Sequence, residues 1–319
     1  MRHDLALYFT ETMHTIPANM EPIIANGINY FGLSGFPLLV GRSRSDVSSD
    51  APAPHPHDLT EVPHRHDFAE LAIVVRGQGM QWLNGTDFPI TAGDAFLLQG
   101  EQVHYFHDRQ HLEIINVMYD PKKLALPENE LRRMPGYCSM FMLEPAYREE
   151  HQFASRLHLQ QLPLAHVQAL SEEIQRECEA KKAGFEVMAR AKLMILIVYL
   201  SRAYTQIDTI ASQTLIKVGN VISALENDFC KDWKLDELAI MSNMSTSSLL
   251  SVFRRATDQT PIDYLVRLRI QRAMELLRQT DLSVTAIAFE VGFNDSNYFT
   301  RKFRRTAGLT PSQFRSKPN

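Results

Sequence analysis

The chain is 319 residues long, 45% hydrophobic and formally −4 at pH 7, too long for one ordinary domain and apolar enough to fill two globular cores. Cys138, Cys178 and Cys230 are odd in number and widely spaced, which argues against a disulfide framework or a Cys-based zinc site and for buried or idle thiols. The longest apolar run, Leu193 to Leu200, is too short to span a bilayer, and Arg2-His3-Asp4 leads into mixed sequence, so the expectation is a soluble cytoplasmic protein with no membrane partner.

Ser43 to Pro63 is rich in Ser, Asp, Pro and His and reads as a mobile loop or an irregular crossing from an early strand pair. From Leu71 to Tyr119 the chain is β-branched and aromatic, punctuated by Gly77, Gly79, Asn84-Gly85 and Gly93-Asp94. Turn residues at this spacing predict antiparallel strands in a small barrel or jelly roll, with a hairpin at Asn84-Gly85. His64, His66 and Glu70 fall at even positions of one strand and share a face, and His104 follows Gly93 by eleven residues. Three imidazoles and a carboxylate can suit a divalent transition metal, but the expectation is that they serve as structural or effector-contacting groups with no cofactor, metal being the alternative. Trp82, at the parity of Met80, is the candidate for stacking on a sugar face, and equally a candidate core residue. His55, His57, His107 and His111 read as loop or surface positions.

Pro163 to Thr205 predicts two helices broken near Ala183-Gly184, with Val167, Leu170 and Ile174 at helical spacing in the first and Leu193, Ile197 and Leu200 in the second. They pack either on the barrel or on a partner chain, and Ile207 to Gln213 follows as a linker.

The last hundred residues contain a repeat. Leu238-Ala239 recurs as Ile287-Ala288, Leu249 as Phe299, Phe253-Arg254-Arg255 as Phe303-Arg304-Arg305 and Thr260-Pro261 as Thr310-Pro311. The offset lengthens by one residue at the turn, where an insertion costs least, which predicts two helix-turn-helix units. In the second, Asp281 or Ser283 caps a helix carrying Val284, Ile287, Ala288 and Val291, Gly292 supplies the turn, and Asp295-Ser296-Asn297 caps a helix that buries Phe299 and Phe303. Asn294, Ser296, Asn297, Thr300, Arg301 and Arg304 are then candidate base contacts, with Lys302 and Arg305 reaching phosphates of double-stranded DNA. The first unit is chemically weaker: its turn holds Asn243, and its candidates are Ser247, Ser248 and Ser251, with Arg254 and Arg255 at the far end. Residues 215 to 319 hold 15 Lys+Arg and 11 Asp+Glu, a net of +4, which leaves −8 for the remainder of the chain. A basic reader is joined to an acidic partner domain, and its binding should weaken as salt rises.

These C-terminal residues closely resemble the DNA-binding domain of the AraC/XylS family of bacterial transcription regulators. The matching positions run from Leu235-Asp236-Glu237-Leu238-Ala239 through Phe253-Arg254-Arg255, Tyr264, Arg267, Arg269 and Ala273 to Leu277, then Ile287-Ala288, Val291-Gly292-Phe293, Tyr298-Phe299, Phe303-Arg304 and Gly308-Leu309-Thr310-Pro311. The resemblance implies a long helix from about Pro261 to Leu277 joining the two units, a homodimer formed through the connector, RNA polymerase as a partner, and activation of transcription. The N-terminal spacing His64-x-His66-x3-Glu70-x6-Gly77, with Gly93 and His104, resembles the cupin pattern, although Gln99 and Glu101 stand where cupins usually have Pro and Gly. Residues His66 to Glu70 and Glu113 to Tyr119 resemble the sensor barrel of rhamnose-operon regulators, which implies a sugar or sugar acid as effector.

The expected architecture is α+β: a cupin-like effector-binding barrel over 1–160, a helical connector over 161–214 and an all-α double helix-turn-helix domain over 215–319. The function expected is a sequence-specific, effector-responsive regulator and not an enzyme. The alternatives are a metal-dependent cupin enzyme fused to a DNA-binding domain, in which the His/Glu quartet holds catalytic metal, and a constitutive DNA-binding dimer.

Overall fold

The computed structural model describes residues 22–31, 35–45, 62–148 and 153–316, so most of the loop expected between Ser43 and Pro63, with His55 and His57, lies outside them. The N-terminal part holds β1 (Ile23–Ala25), α1 (Gly27–Phe31), β2 (Leu38–Arg44), β3 (His64–His66), β4 (Ala69–Leu83), β5 (Thr86–Thr91), β6 (Asp94–Leu98) and β7 (His104–Tyr119). The two long strands β4 and β7 pair antiparallel from Ala69↔Tyr119 to Leu83↔His104, and β4 also carries β6 on its first half and β5 on its second. Its side chains alternate between two cores. Ala72, Val74, Leu83, Phe96, Phe106 and Ile114 fill the inner one, and Leu71, Ile73, Ile115 and Val117 face the connector helices. The expected hairpin is present: Asn84 and Gly85 both take positive φ, 48° and 100°, as a two-residue turn with the strand twist requires.

After β7 the chain forms α2 (Glu128–Leu131), α3 (Pro135–Tyr137), a π-helical stretch (Cys138–Leu143), α4 (Glu144–Tyr147) and β8 (Leu157–His158), which pairs with β6. The connector is a helical hairpin, α5 (Gln161–Ala180) and α6 (Phe185–Tyr204), reversed through Lys181 and Gly184 at positive φ. The reader follows as α7 (Ile210–Asn227), α8 (Leu235–Met241), α9 (Thr246–Thr257), α10 (Pro261–Gln279), α11 (Val284–Glu290), α12 (Ser296–Ala307) and α13 (Pro311–Ser316).

Two expectations about boundaries change. The Thr209 hydroxyl accepts from Ser212 N and starts α7 at Ile210, so the linker is shorter than Ile207–Gln213 and a boundary at 214/215 falls inside a helix. A helix cap placed by a single Thr carries little periodic signal to read beforehand. Nor do residues up to 160 form one unit: Cys138, Leu143 and Tyr147 share a core with Leu215, Val218, Ile222, Leu249 and Phe253 of the reader. Gly219 permits that contact, because a Cβ there would lie 2.3 Å from Ser139 Oγ.

Candidate effector site and nucleic-acid interface

β3, the start of β4 and the start of β7 bring His64, His66, Glu70 and His104 together, all at least 95% buried. The Nδ1 atoms of His64, His66 and His104 lie 3.1, 2.8 and 3.1 Å from the carbonyls of Val62, Phe68 and Gln102. A carbonyl only accepts, so each Nδ1 carries the hydrogen and each Nε2 is left with its lone pair. Ligand atoms of His64, Glu70 and His104 lie within 4.8 Å of one another, and His66 Nε2 is 3.0 Å from Glu70 Oε2. Nε2 of His66 and of His104, and Oε1 of Glu70, are buried without a hydrogen-bond partner among the described residues.

Burial works to raise the Glu70 pKa, but the His66 contact and the neighbouring imidazoles reverse this and bring it down to about 2. His104 is driven well below the ordinary histidine range by burial and by His64 and His66, against the pull of Glu70. His66 Nε2 and Glu70 Oε2 face each other at 3.0 Å, a geometry that a shared proton or a metal ion between them satisfies. The rings are too close for a sugar to enter among them, with the His64 and His104 centroids 4.4 Å apart, so the quartet fits an ion.

Trp82 is a correction. Register irregularities between Val74 and Met80 shift the alternation of β4, so Trp82 lies on the outer face, its ring 5.2 Å from that of its cross-strand neighbour Tyr105. Gln81 and Leu83 take the inward positions, opposite Phe106 and His104. Gln81 is wholly buried, and neither its amide nitrogen nor its oxygen has a hydrogen-bond partner among the described residues. Asn116, between the inward residues Ile114 and Met118, is a second buried polar group on that face. Simple parity counting missed both. His107 is also not a surface residue: it is buried, with Nε2 2.7 Å from Asp87 Oδ1.

The second helix-turn-helix unit forms as its spacing predicts. Ser283 caps α11, Gly292 turns at φ 89°, Asp295 caps α12, and Phe299 and Phe303 are wholly buried. Asn294, Asn297, Arg301, Arg304 and Arg305 are exposed, and Ser296, Thr300 and Lys302 half-buried. In the first unit Asn243 takes φ 49° at the turn, and Ser245 caps α9 while bonding the hydroxyls of Ser247 and Ser248. Those two serines therefore belong to a cap network, leaving Ser251 and Arg254 as that unit's freer groups. Between the units lies a cleft of about 420 Å³ lined by Arg254, Arg267, Lys302 and Arg305, with Asp258 and Asp263 also on its wall. Arg267 was not among the expected contacts because it sits on α10, outside either repeat.

Arg255, expected at the DNA face, is exposed and also stacks on Tyr147, its guanidinium 4.8 Å from the ring centroid. The Tyr147 hydroxyl donates to Val252 O of α9 at 3.0 Å. The next residue, Arg148, is wholly buried and holds the barrel, donating to Leu97 O of β6 at 2.7 Å while gripping both oxygens of Glu144. Leu98, one residue on, is the cross-strand partner of Glu70. An unbroken series of contacts thus joins the quartet to the first recognition helix.

Comparison with known proteins matches residues 48–139 to the AraC-like ligand binding domain and residues 238–317 to a helix-turn-helix domain. The chain is 28% identical over 254 residues to the HTH-type transcriptional activator RhaR of Mannheimia succiniciproducens, covering 80% of this chain and 87% of that one. It is 29% identical over 266 residues to the protein of the same name from Salmonella schwarzengrund, covering 83% and 90%. Among solved structures, a probable AraC family transcriptional regulator from Rhodopseudomonas palustris is 27% identical, with 32% of this chain and 98% of that one covered at a TM-score of 0.30.

Proposed function

The chain belongs to the AraC family, a DNA-binding transcription regulator with a ligand-binding domain ahead of its helix-turn-helix domain, and we propose that it is a cytoplasmic activator whose effector is a sugar such as rhamnose or a sugar acid. Support for the sugar comes from its RhaR relatives and from the buried polar face that Gln81 and Asn116 add to the barrel interior. The observation that carries the regulatory reading is the α3–α4 segment, which leaves the barrel and enters the core of the first helix-turn-helix unit. Effector occupancy would bias the position of Tyr147 against α9 and so the presentation of the recognition helices to promoter DNA and RNA polymerase. Exposed Leu162, Val187, Met188 and Ile195 on the connector hairpin suit a second copy of the chain. No described helix is long and apolar enough to cross a membrane.

The barrel carries out no turnover in this role. His64, His66, Glu70 and His104 would hold a divalent transition metal, favoured by three imidazoles whose Nδ1–H groups are each fixed by a carbonyl. Bound there, it would supply charge that offsets Glu70 and open coordination positions for ligand oxygens. Elemental analysis of protein purified without chelator should find about one equivalent, lost in His104→Ala. Metal below a tenth of an equivalent in the parent would leave a proton shared between His66 and Glu70 in its place. For the effector, thermal-shift screening of the full chain against monosaccharides and sugar acids should find a ligand that raises the melting temperature and changes promoter affinity. Stabilisation by none of them, with promoter activation already complete, would leave a constitutive DNA-binding dimer.

A further inference from the structure

A cleft of about 890 Å³ lies away from the quartet, where β8, the end of α6 and the short linker to α7 meet. That volume is within the range of small-molecule sites. Its floor is apolar, from Leu157, Leu159, Pro163, Tyr199, Ala203 and Ile207. The charged side chains lining it are cationic: Arg156 and Arg202, with His158 beside them, and no Asp or Glu among the described lining residues.

These cations differ in how they are held. Asp94, wholly buried beneath the cleft, fixes Arg156 Nε at 3.1 Å and His158 Nδ1 at 2.8 Å, and the Arg156 guanidinium lies 5.2 Å from the Phe153 ring centroid. Asp94 is thus met from two sides, and with Nη1 of Arg156 donating to Phe153 O at 3.5 Å, Nη2 remains for a further acceptor. Arg202, in the last turn of α6, is exposed, with no ion-pair partner among the described residues. A built-in cation and an exposed one therefore flank an apolar floor, an arrangement complementary to a molecule with an anionic head and an apolar body.

We propose that this cleft is a second ligand site, separate from the barrel interior, that takes a small organic anion with an apolar body. Its position gives occupancy a consequence. Thr209, on the linker wall, donates its hydroxyl to Ala154 O at 3.0 Å and caps α7, the first helix of the reader. A ligand bridging Arg156 and Arg202 would fasten the barrel's last strand to the end of α6 beside that cap, so it would act on the interdomain joint rather than on the quartet.

The test uses full-length protein and two fluorescent probes of similar shape: anilinonaphthalene sulfonate, which is anionic, and N-phenyl-1-naphthylamine, which is neutral. The sulfonate should saturate at about one equivalent and bind at least tenfold more tightly than the neutral probe. Arg202→Glu and Gln206→Glu, both surface changes on the cleft wall, should each weaken it by about tenfold or more without altering the melting temperature. Equal binding of the two probes, affinities within twofold of the parent in both variants, or no saturable sulfonate binding would each overturn the proposal.

Discussion

Arg301 and Arg267 illustrate how position decides what a cation near DNA contributes. Arg301 is exposed in mid-α12, where a guanidinium can bridge the two acceptors of a guanine edge, so Arg301→Ala should relax base preference at one operator position and cost about 1 to 3 kcal/mol. Arg267 lines the cleft between the two units, and Arg267→Ala should weaken all sequences alike and lower the salt slope by about one. Ser251→Ala should cost less than either. Footprinting and anisotropy across a salt series distinguish these outcomes; a uniform loss in Arg301→Ala would move that residue to phosphate. In the barrel, Gln81 and Trp82 are neighbours with opposite fates. Gln81→Leu removes an unsatisfied buried amide, so it should hold or raise the melting temperature while blunting the effector response. Trp82→Ala, on the outer face, should lower stability and leave the response intact. A response lost in Trp82→Ala and kept in Gln81→Leu would reverse this assignment of the two faces.

At the scale of elements, the hairpin at Asn84-Gly85, the connector hairpin and both helix-turn-helix units were legible, since each rests on a local signal: positive-φ residues, helical spacing, or a doubled motif. What could not be read came from irregularity or tertiary context. The bulges of β4 reverse its parity after Val74, and no count along the sequence reveals where they fall. The short α2–α4 helices have too few residues for a period, and their location in the reader's core is a matter of assembly. The His/Glu quartet was legible as a cluster, but its closure around an ion-sized space was not. Ser245 was overlooked as a cap although its spacing to Ser248 is ordinary. Ser245→Ala should cost about 0.5 to 2 kcal/mol by exposing the first turn of α9, read as a lowered midpoint in urea. A midpoint equal to the parent's would show that the packing of Leu249 and Phe253 alone sets the end of that helix.

Over the whole molecule, the α3–α4 segment binds the reader to the barrel more closely than a tether would. Cys138, Leu143 and Tyr147 cover part of the reader's core, and Arg148 anchors the same segment under β6. Removing Glu144 would strand a buried guanidinium and cost about 3 to 5 kcal/mol, too much for a clean test of coupling. Tyr147→Phe is gentler, since it keeps the ring under Arg255 and removes the hydroxyl that donates to Ser251 O and Val252 O of α9. The decisive measurement is promoter affinity of the full chain with and without the sugar that stabilises it, in the parent and in Tyr147→Phe. A coupled regulator should show an effector-dependent change of about 5- to 150-fold in the parent. In Tyr147→Phe that ratio should fall to within about threefold of unity while the sugar still raises the melting temperature. The same ratio in both proteins would contradict transmission through this segment.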